Sequence, residues 1–297
     1  MTGAMILFGS SLFFLYALPG DGEAAAHSLK WPRPLILTAA AALFVASVLG
    51  LLAQTVVLAG SMQEGLTYDS LSAVVTGMSF GKSSCVRALV AVLFFVAFAF
   101  LKSDRRGWWL GAIAGGVICA SFAWMGHGAA TKGVPGLLHL ASDILHTLAA
   151  AVWIGALVAF LVLLATDSRQ SDVGREAMHR ALHGFSGVGS ALVAVLVATG
   201  VVNGWFVIGL EGLPRLWSSA YGQLLTVKLV LFLTMVVLAA ANRFRHTPRL
   251  GAALAGPSPT GEAVAALRSS LVWETGISMA VLGLVAWFGM LAPPSVS

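Results

Sequence analysis

Long apolar runs alternate with short polar connections along the whole chain. Eight runs are bounded by charged residues, proline or glycine, at 1–18, 34–60, 82–101, 107–126, 137–165, 183–209, 221–241 and 269–291. A run of about 20 apolar residues can cross the hydrocarbon core of a bilayer as a helix. The alternating ten-residue segments typical of a membrane β-barrel are missing from the sequence. The pattern therefore predicts an all-α integral membrane protein with eight transmembrane helices in a single polytopic domain over 1–297.

The composition supports this prediction and excludes other classes. Of the 297 residues, 58% are hydrophobic and 10% are charged, whereas soluble domains carry roughly 25% charged residues. This excludes a soluble globular enzyme, a disordered chain and a nucleic-acid-binding domain. The sequence contains no phosphate-binding glycine loop, nucleophile elbow or HExxH motif, so we do not expect an enzyme. The run 1–18 lacks a basic leader and a cleavage site, and we interpret it as a span rather than a signal peptide.

The distribution of basic residues predicts the orientation of the helices. One set of alternate connections carries twelve of the 17 basic residues, and the other set carries three, which are Lys82, Lys132 and Arg215. Lysine and arginine accumulate on the cytoplasmic side of inner-membrane proteins. Both termini are therefore expected in the periplasm of a bacterium. The longest cytoplasmic connection, 242–268, contains a Gly-Pro-Ser-Pro run and is predicted to be a flexible loop.

Short motifs recur in the same order in the two parts of the chain, which indicates a tandem repeat of parallel four-helix halves, 1–126 and 137–291. A glycine that follows an aromatic residue precedes Arg87 by six positions in the first half and Lys228 by six in the second. The other matching pairs are Phe8-Gly9 with Ile154-Gly155, Leu49-Gly50 with Thr199-Gly200, and Ala123-Trp124 with Ala286-Trp287.

The densest cluster of polar residues lies where the fourth span ends and the fifth begins. It comprises His127, His139, Asp143 and His146, with Met125 close by in the sequence. On a helix, His139 and His146 differ by about 20° in direction and Asp143 by about 40° from His139. Polar groups within a membrane usually serve a function, and imidazole and thioether are ligands for copper. The cluster is thus a candidate metal site, although interhelical hydrogen bonding remains an alternative.

Four charged residues near the span boundaries allow a structural interpretation as well. Arg87 and Lys228 either extend to the membrane interface or, functionally, pair with Asp143 or line a polar opening. Arg243 ends the seventh span and Glu274 begins the eighth, so we expect these two to form an ion pair.

Motifs in the second half of the chain resemble the copper resistance protein D (CopD) family. They are the helix with His139, Asp143 and His146 that leads into Ala149-Ala150-Ala151-Val152-Trp153-Ile154-Gly155, the run Thr199-Gly200-Val201-Val202-Asn203, the run Tyr221-Gly222-Gln223-Leu224-Leu225-Thr226-Val227-Lys228, then Ala241-Asn242-Arg243, and Arg268-Ser269-Ser270-Leu271 with Glu274.

The resemblance implies an eight-helix protein of the bacterial inner (plasma) membrane that acts in copper homeostasis and resistance. Such a protein would bind copper ions at the periplasmic face, move them across the bilayer and work beside a periplasmic CopC-type copper-binding protein. The proposed copper ligands are His127, His139, His146, Asp143 and Met125. A haem-binding electron carrier of the cytochrome b type is the alternative, and a visible absorption spectrum distinguishes the two.

Overall fold

A computed structural model describes residues 1–17, 32–100, 104–125, 133–166, 172–212, 214, 218–255 and 260–288. Within these ranges every regular element is helical. In chain order they are α1 (Thr2–Tyr16), α2 (Pro32–Ala59), α3 (Met62–Gly65), α4 (Tyr68–Gly77), α5 (Ser79–Phe100), α6 (Arg105–Ser121), α7 (Gly133–Thr166), α8 (Asp172–Gly212), α9 (Ala220–Ala241), α10 (Thr247–Ala255) and α11 (Thr260–Phe288). A 3₁₀ turn, Phe122–Met125, extends α6, and a π-helical turn, Asn242–His246, joins α9 to α10.

Seven helices in the described part of the chain are long and apolar enough to cross a membrane, namely α2, α5, α6, α7, α8, α9 and α11. Each coincides with most of one predicted run, and the all-α membrane architecture is as expected. The remaining predicted span, 1–18, corresponds to α1, an apolar helix of 15 residues. At 1.5 Å per residue it is about 22 Å long, which is less than the ~30 Å of the hydrocarbon core.

The short helix α1 lies in the middle of the bundle. It packs against α2, α6 and α7, and Ala4, Leu7 and Phe13 are fully buried. A helix that is apolar on every face is suited to such a position, because no face has to meet water. The helices of the two halves therefore pack around α1 as a common core.

The crossing of α1 and α7 depends on two glycines. A Cβ atom on Gly9 would overlap the Ala151 carbonyl, and a Cβ atom on Gly155 would overlap the backbone of Gly9. Small residues allow membrane helices to approach this closely. The hydroxyl of Ser10 then donates a hydrogen bond of 3.0 Å to the carbonyl oxygen of Gly155. Gly9 and Gly155 are matching positions of the predicted repeat, and they contact each other.

This contact predicts the outcome of a simple substitution. Gly9→Ala should force α1 away from α7, and overpacking of this kind costs roughly 1–3 kcal/mol. We expect less folded protein in detergent and a melting temperature several degrees lower, as measured by fluorescence-detected thermal unfolding. The matched control is Gly50→Ala on α2, where a Cβ atom meets nothing within 4 Å. Equal stability of the two variants would contradict the assignment of this crossing.

The connection 242–268 differs from the flexible loop predicted for it. The helix α9 continues through the π-helical turn into α10, and α11 already begins at Thr260. In α10, Thr247, Leu250 and Ala253 are buried. Their spacing of three residues places them on one face, which packs against α8 and α11. The Gly-Pro-Ser-Pro run that suggested a loop, 256–259, lies outside the described residues. The described residues of the connection, 242–255 and 260–268, are thus helical.

Candidate metal-binding site

Three of the five predicted ligands, His139, Asp143 and His146, line one cavity. They project from successive turns of α7 into a space of about 310 Å³. The other walls come from the beginnings of α1 and α9 and from the final turns of α8 and α11. We call this space the histidine cavity. Because α1, α7 and α9 begin beside it while α8 and α11 end there, it lies at one end of the bundle.

A hydrogen bond to α8 determines the chemistry of His146. The Nδ1 atom of His146 lies 2.9 Å from the Thr199 hydroxyl oxygen. That hydroxyl donates its own proton to the Val195 carbonyl oxygen at 2.6 Å, so it accepts from the ring. The proton of neutral His146 is therefore on Nδ1, and Nε2 keeps its lone pair. An imidazole held in this tautomer by a second group is typical of a metal ligand.

The ring of His139 is held by stacking against α8. It lies parallel to the Phe206 ring, with an angle of 9° and 4.7 Å between the ring centres. The side chain is 4% exposed. Since the flat face of the imidazole is covered by Phe206, the nitrogen atoms on the ring edge are the part that can meet a ligand in the cavity.

Asp143 and Lys228 face each other across the histidine cavity and interact electrostatically. Of the two interpretations offered for Lys228, the structure thus favours pairing with Asp143. Arg87, its counterpart in the first half, behaves differently. It is 4% exposed, donates to the hydroxyls of Ser84 at 2.8 Å and Ser121 at 3.4 Å, and lies over the Phe122 ring. Arg87 is a packing residue that does not line this cavity.

The remaining predicted ligands cannot be placed beside these three. His127 lies outside the described residues. Met125 ends the 3₁₀ turn Phe122–Met125, but its side chain is also outside them. Among the described residues, no three His, Cys, Asp or Glu side chains lie close enough together to hold a metal ion. His139, Asp143 and His146 share a cavity wall, therefore, without forming the compact three-ligand cluster that their helical spacing suggested.

Sequence reasoning missed three residues of the histidine cavity. Met1 and Met5 reach it from α1, and Asn203 reaches it from α8. The buried Oδ1 atom of Asn203 has no hydrogen-bond partner in the described part of the chain. In the sequence analysis Asn203 is part of a family motif but not a candidate ligand. For methionine the sequence offers no distinguishing signal, because a thioether in an apolar helix most often serves packing.

A second polar site lies at the opposite end of the same four helices, around Glu274 of α11. The carboxylate is 2% exposed and accepts hydrogen bonds from Trp153 Nε1 at 2.8 Å and from Asn242 Nδ2 at 2.9 Å. It borders a cavity of about 300 Å³ between α7, α8, α9 and α11, which we call the Glu274 cavity.

The predicted ion pair between Arg243 and Glu274 is wrong. Both oxygens of Glu274 are occupied by neutral donors, whereas Arg243 is exposed and donates to Ser186 and Ser190 on α8. Arg243 follows Asn242 by one position, which is about 100° around a helix. That rotation points Asn242 at α11 and Arg243 at α8.

Comparisons with known proteins give matches to copper resistance proteins. The family model described as "Copper resistance protein D-like, N-terminal domain" matches residues 1–137, and the model "Copper resistance protein D" matches residues 179–288. The chain is 34% identical over 293 residues to Copper resistance protein D of Pseudomonas syringae pv. tomato, which covers 98% of this chain and 94% of that protein.

Two further relatives are matched over less of their own length. The chain is 28% identical to Copper transport protein CutJ of Bacillus subtilis over 81% of this chain and 44% of CutJ. It is 32% identical to Inner membrane protein YebZ of Escherichia coli over 43% of this chain and 42% of YebZ. No solved structure matches the chain.

Proposed function

The chain belongs to the copper resistance protein D family, and we propose that it binds copper in the histidine cavity and moves the metal across the inner membrane. It is a multi-pass inner-membrane protein of copper homeostasis. In this account copper is the transported substrate. The observation that carries the proposal is the hydrogen bond between His146 Nδ1 and the Thr199 hydroxyl, which holds this imidazole at the wall of the cavity.

The ligands that we propose follow from the side chains around that nitrogen. His146 and His139 supply imidazole, and Met5 supplies a thioether from α1. Imidazole and thioether together suit copper, and the thioether favours Cu(I). His127 and Met125 remain proposed ligands from the connection before α7. Asp143 then pairs with Lys228, so that these two residues give the empty site no net charge.

The orientation that we propose places the histidine cavity at the periplasmic face and both termini in the periplasm. The support is the distribution of twelve basic residues on one side against three on the other. It also requires α1 to cross the membrane as an eighth span. The periplasmic face would receive copper from a CopC-type protein.

This orientation makes a direct prediction for reporter fusions. A C-terminal alkaline phosphatase fusion should be active, because the enzyme folds in the periplasm, and a C-terminal green fluorescent protein fusion exported through the general secretion pathway should be dark. The same pair of reporters placed after Ala255, the last residue of α10, serves as the control and should give the opposite pattern. A bright C-terminal fusion would contradict the arrangement with eight spans.

We also propose that the two four-helix halves, 1–126 and 137–291, arose by duplication. The support is the contact between Gly9 and Gly155, which occupy equivalent positions in the two halves. In a symmetric pair, equivalent positions meet at the axis. The halves now differ, because Arg87 is packed among serines and Phe122 while its counterpart Lys228 lines the cavity.

The alternative of a cytochrome b type carrier is tested by the same purified protein. Bis-histidine haem binding requires two histidines on facing helices, and both described histidines of the cavity lie on α7. We expect no Soret band in the purified protein and about one copper per chain after loading with Cu(I). A Soret band with histidine ligation, or protein that retains no copper, would overturn the proposal.

A further inference from the structure

The two cavities described above lie along the same four helices. On α7 the residues that line them form one continuous stripe, with Ala150 the last residue of the histidine cavity and Trp153 the first of the Glu274 cavity. On α8, α9 and α11 the linings of the two cavities are separated by seven or eight residues, which is about 10–12 Å along each helix. A short barrier of about two helical turns is therefore all that divides them.

The barrier contains a methionine among its buried side chains. Its residues are Leu196 of α8, Phe232 and Met235 of α9, and Ser278 of α11. Met235 is 7% exposed and Ser278 is 1% exposed. The Ser278 hydroxyl oxygen lies 3.7 Å from the Met235 sulfur, and the hydroxyl also reaches the Glu274 carbonyl oxygen at 2.8 Å. Along α9, Met235 thus lies between Lys228, the last residue that lines the histidine cavity, and Val236, the first that lines the Glu274 cavity.

Two of the helices that border the barrier, α8 and α9, pack less closely than their counterparts in the first half. In the first half α2 packs directly along α5, but over the described residues α8 does not pack along α9 in the same way. In addition, each cavity contains a buried amide oxygen with no hydrogen-bond partner among the described residues, Asn203 Oδ1 in one and Asn242 Oδ1 in the other. Unpaired acceptors on both sides of the barrier, together with the Glu274 carboxylate, favour a positively charged occupant.

From this arrangement we infer that Cu(I) crosses the membrane through the second half of the chain, passing from the histidine cavity to the Glu274 cavity over the Met235 thioether. The inference rests on the proposed function and adds the route. A thioether is a soft ligand that binds Cu(I) without carrying a charge of its own. It can accept the ion in the apolar barrier, where a carboxylate would be costly to bury.

The test separates binding from passage. Wild-type protein and variants are reconstituted in liposomes that contain a Cu(I)-specific chelator dye, and the rate of dye response to external Cu(I) is measured with ascorbate present. Met235→Leu keeps the volume and removes the sulfur. We expect its copper stoichiometry in detergent to equal that of wild type while its transport rate falls at least tenfold. Met235→Cys, which restores a soft sulfur ligand, should recover part of the rate.

The matched control is Met279→Leu, a partly buried methionine of α11 that packs against the core and lines neither cavity; its rate should stay within twofold of wild type. Wild-type rates in Met235→Leu, with transport lost in His146→Ala, would overturn the route and leave the proposed function intact. Copper binding without any transport by the wild-type protein would overturn the transport part of the proposed function, and the route with it.

Discussion

Replacing His146 with alanine is expected to remove most of the copper that the purified protein binds. The variant loses an imidazole that a second group, the Thr199 hydroxyl, holds in place. Copper per chain, measured by mass spectrometry after loading with Cu(I) and desalting, should fall at least tenfold. Copper-dependent growth of cells that rely on this protein should fall with it. His139→Ala should have a similar effect, because its ring lines the same cavity.

Two further variants show whether the loss is specific to the site. Thr199→Val keeps both histidines but removes the hydroxyl that is hydrogen-bonded to His146 Nδ1. Loss of such a supporting group lowers metal affinity by about 10–100-fold. His183→Ala removes an exposed histidine that lies on α8 away from the cavity, and its copper content should not change. If His146→Ala and His139→Ala retained as much copper as wild type does, the row of His139, Asp143 and His146 on α7 would serve helix packing and not copper binding.

Glu274→Ala is expected to cause the largest loss of stability among the substitutions considered. It leaves the Trp153 indole and the Asn242 amide as buried donors without an acceptor. Each such group costs about 1–3 kcal/mol. The yield of monodisperse protein in detergent should therefore fall severalfold. Glu274→Gln, which keeps one carbonyl oxygen, should lose less.

The control for this prediction is Arg243→Ala. Arg243 is exposed and bonds to α8 rather than to Glu274, so its removal should change the melting temperature by no more than a degree or two. Equal destabilisation by Glu274→Ala and Arg243→Ala would support an ion pair between them and contradict the hydrogen bonds described here.

The helices could be predicted from the sequence because lipid imposes one requirement on every span, an apolar run of sufficient length. That requirement identified all the long helices. It did not identify the helical stretch 247–255, whose buried positions Thr247, Leu250 and Ala253 follow an amphipathic pattern that is short and partly polar. The glycine and proline residues in 256–259 led instead to the prediction of a flexible loop over the whole connection.

The candidate site was predictable only within one helix. The spacing of His139, Asp143 and His146 indicates that they share a face of α7, and the structure places all three on one cavity. What faces them depends on tertiary packing, which the spacing does not encode. Met5 comes from the central helix α1, and the partner of Glu274 depends on a rotation of 100° between Asn242 and Arg243. Neither feature has a local sequence signal.

The central claim is that copper binds between α1, α7 and α8, beside His146. A crystal structure of the copper-loaded protein, with data collected above and below the copper absorption edge, tests it most directly. If copper binds there, we expect one strong anomalous peak in the histidine cavity, within bonding distance of the Nε2 atom of His146. A peak at another position, such as the exposed Met62 that begins α3, with the histidine cavity free of copper, would contradict it.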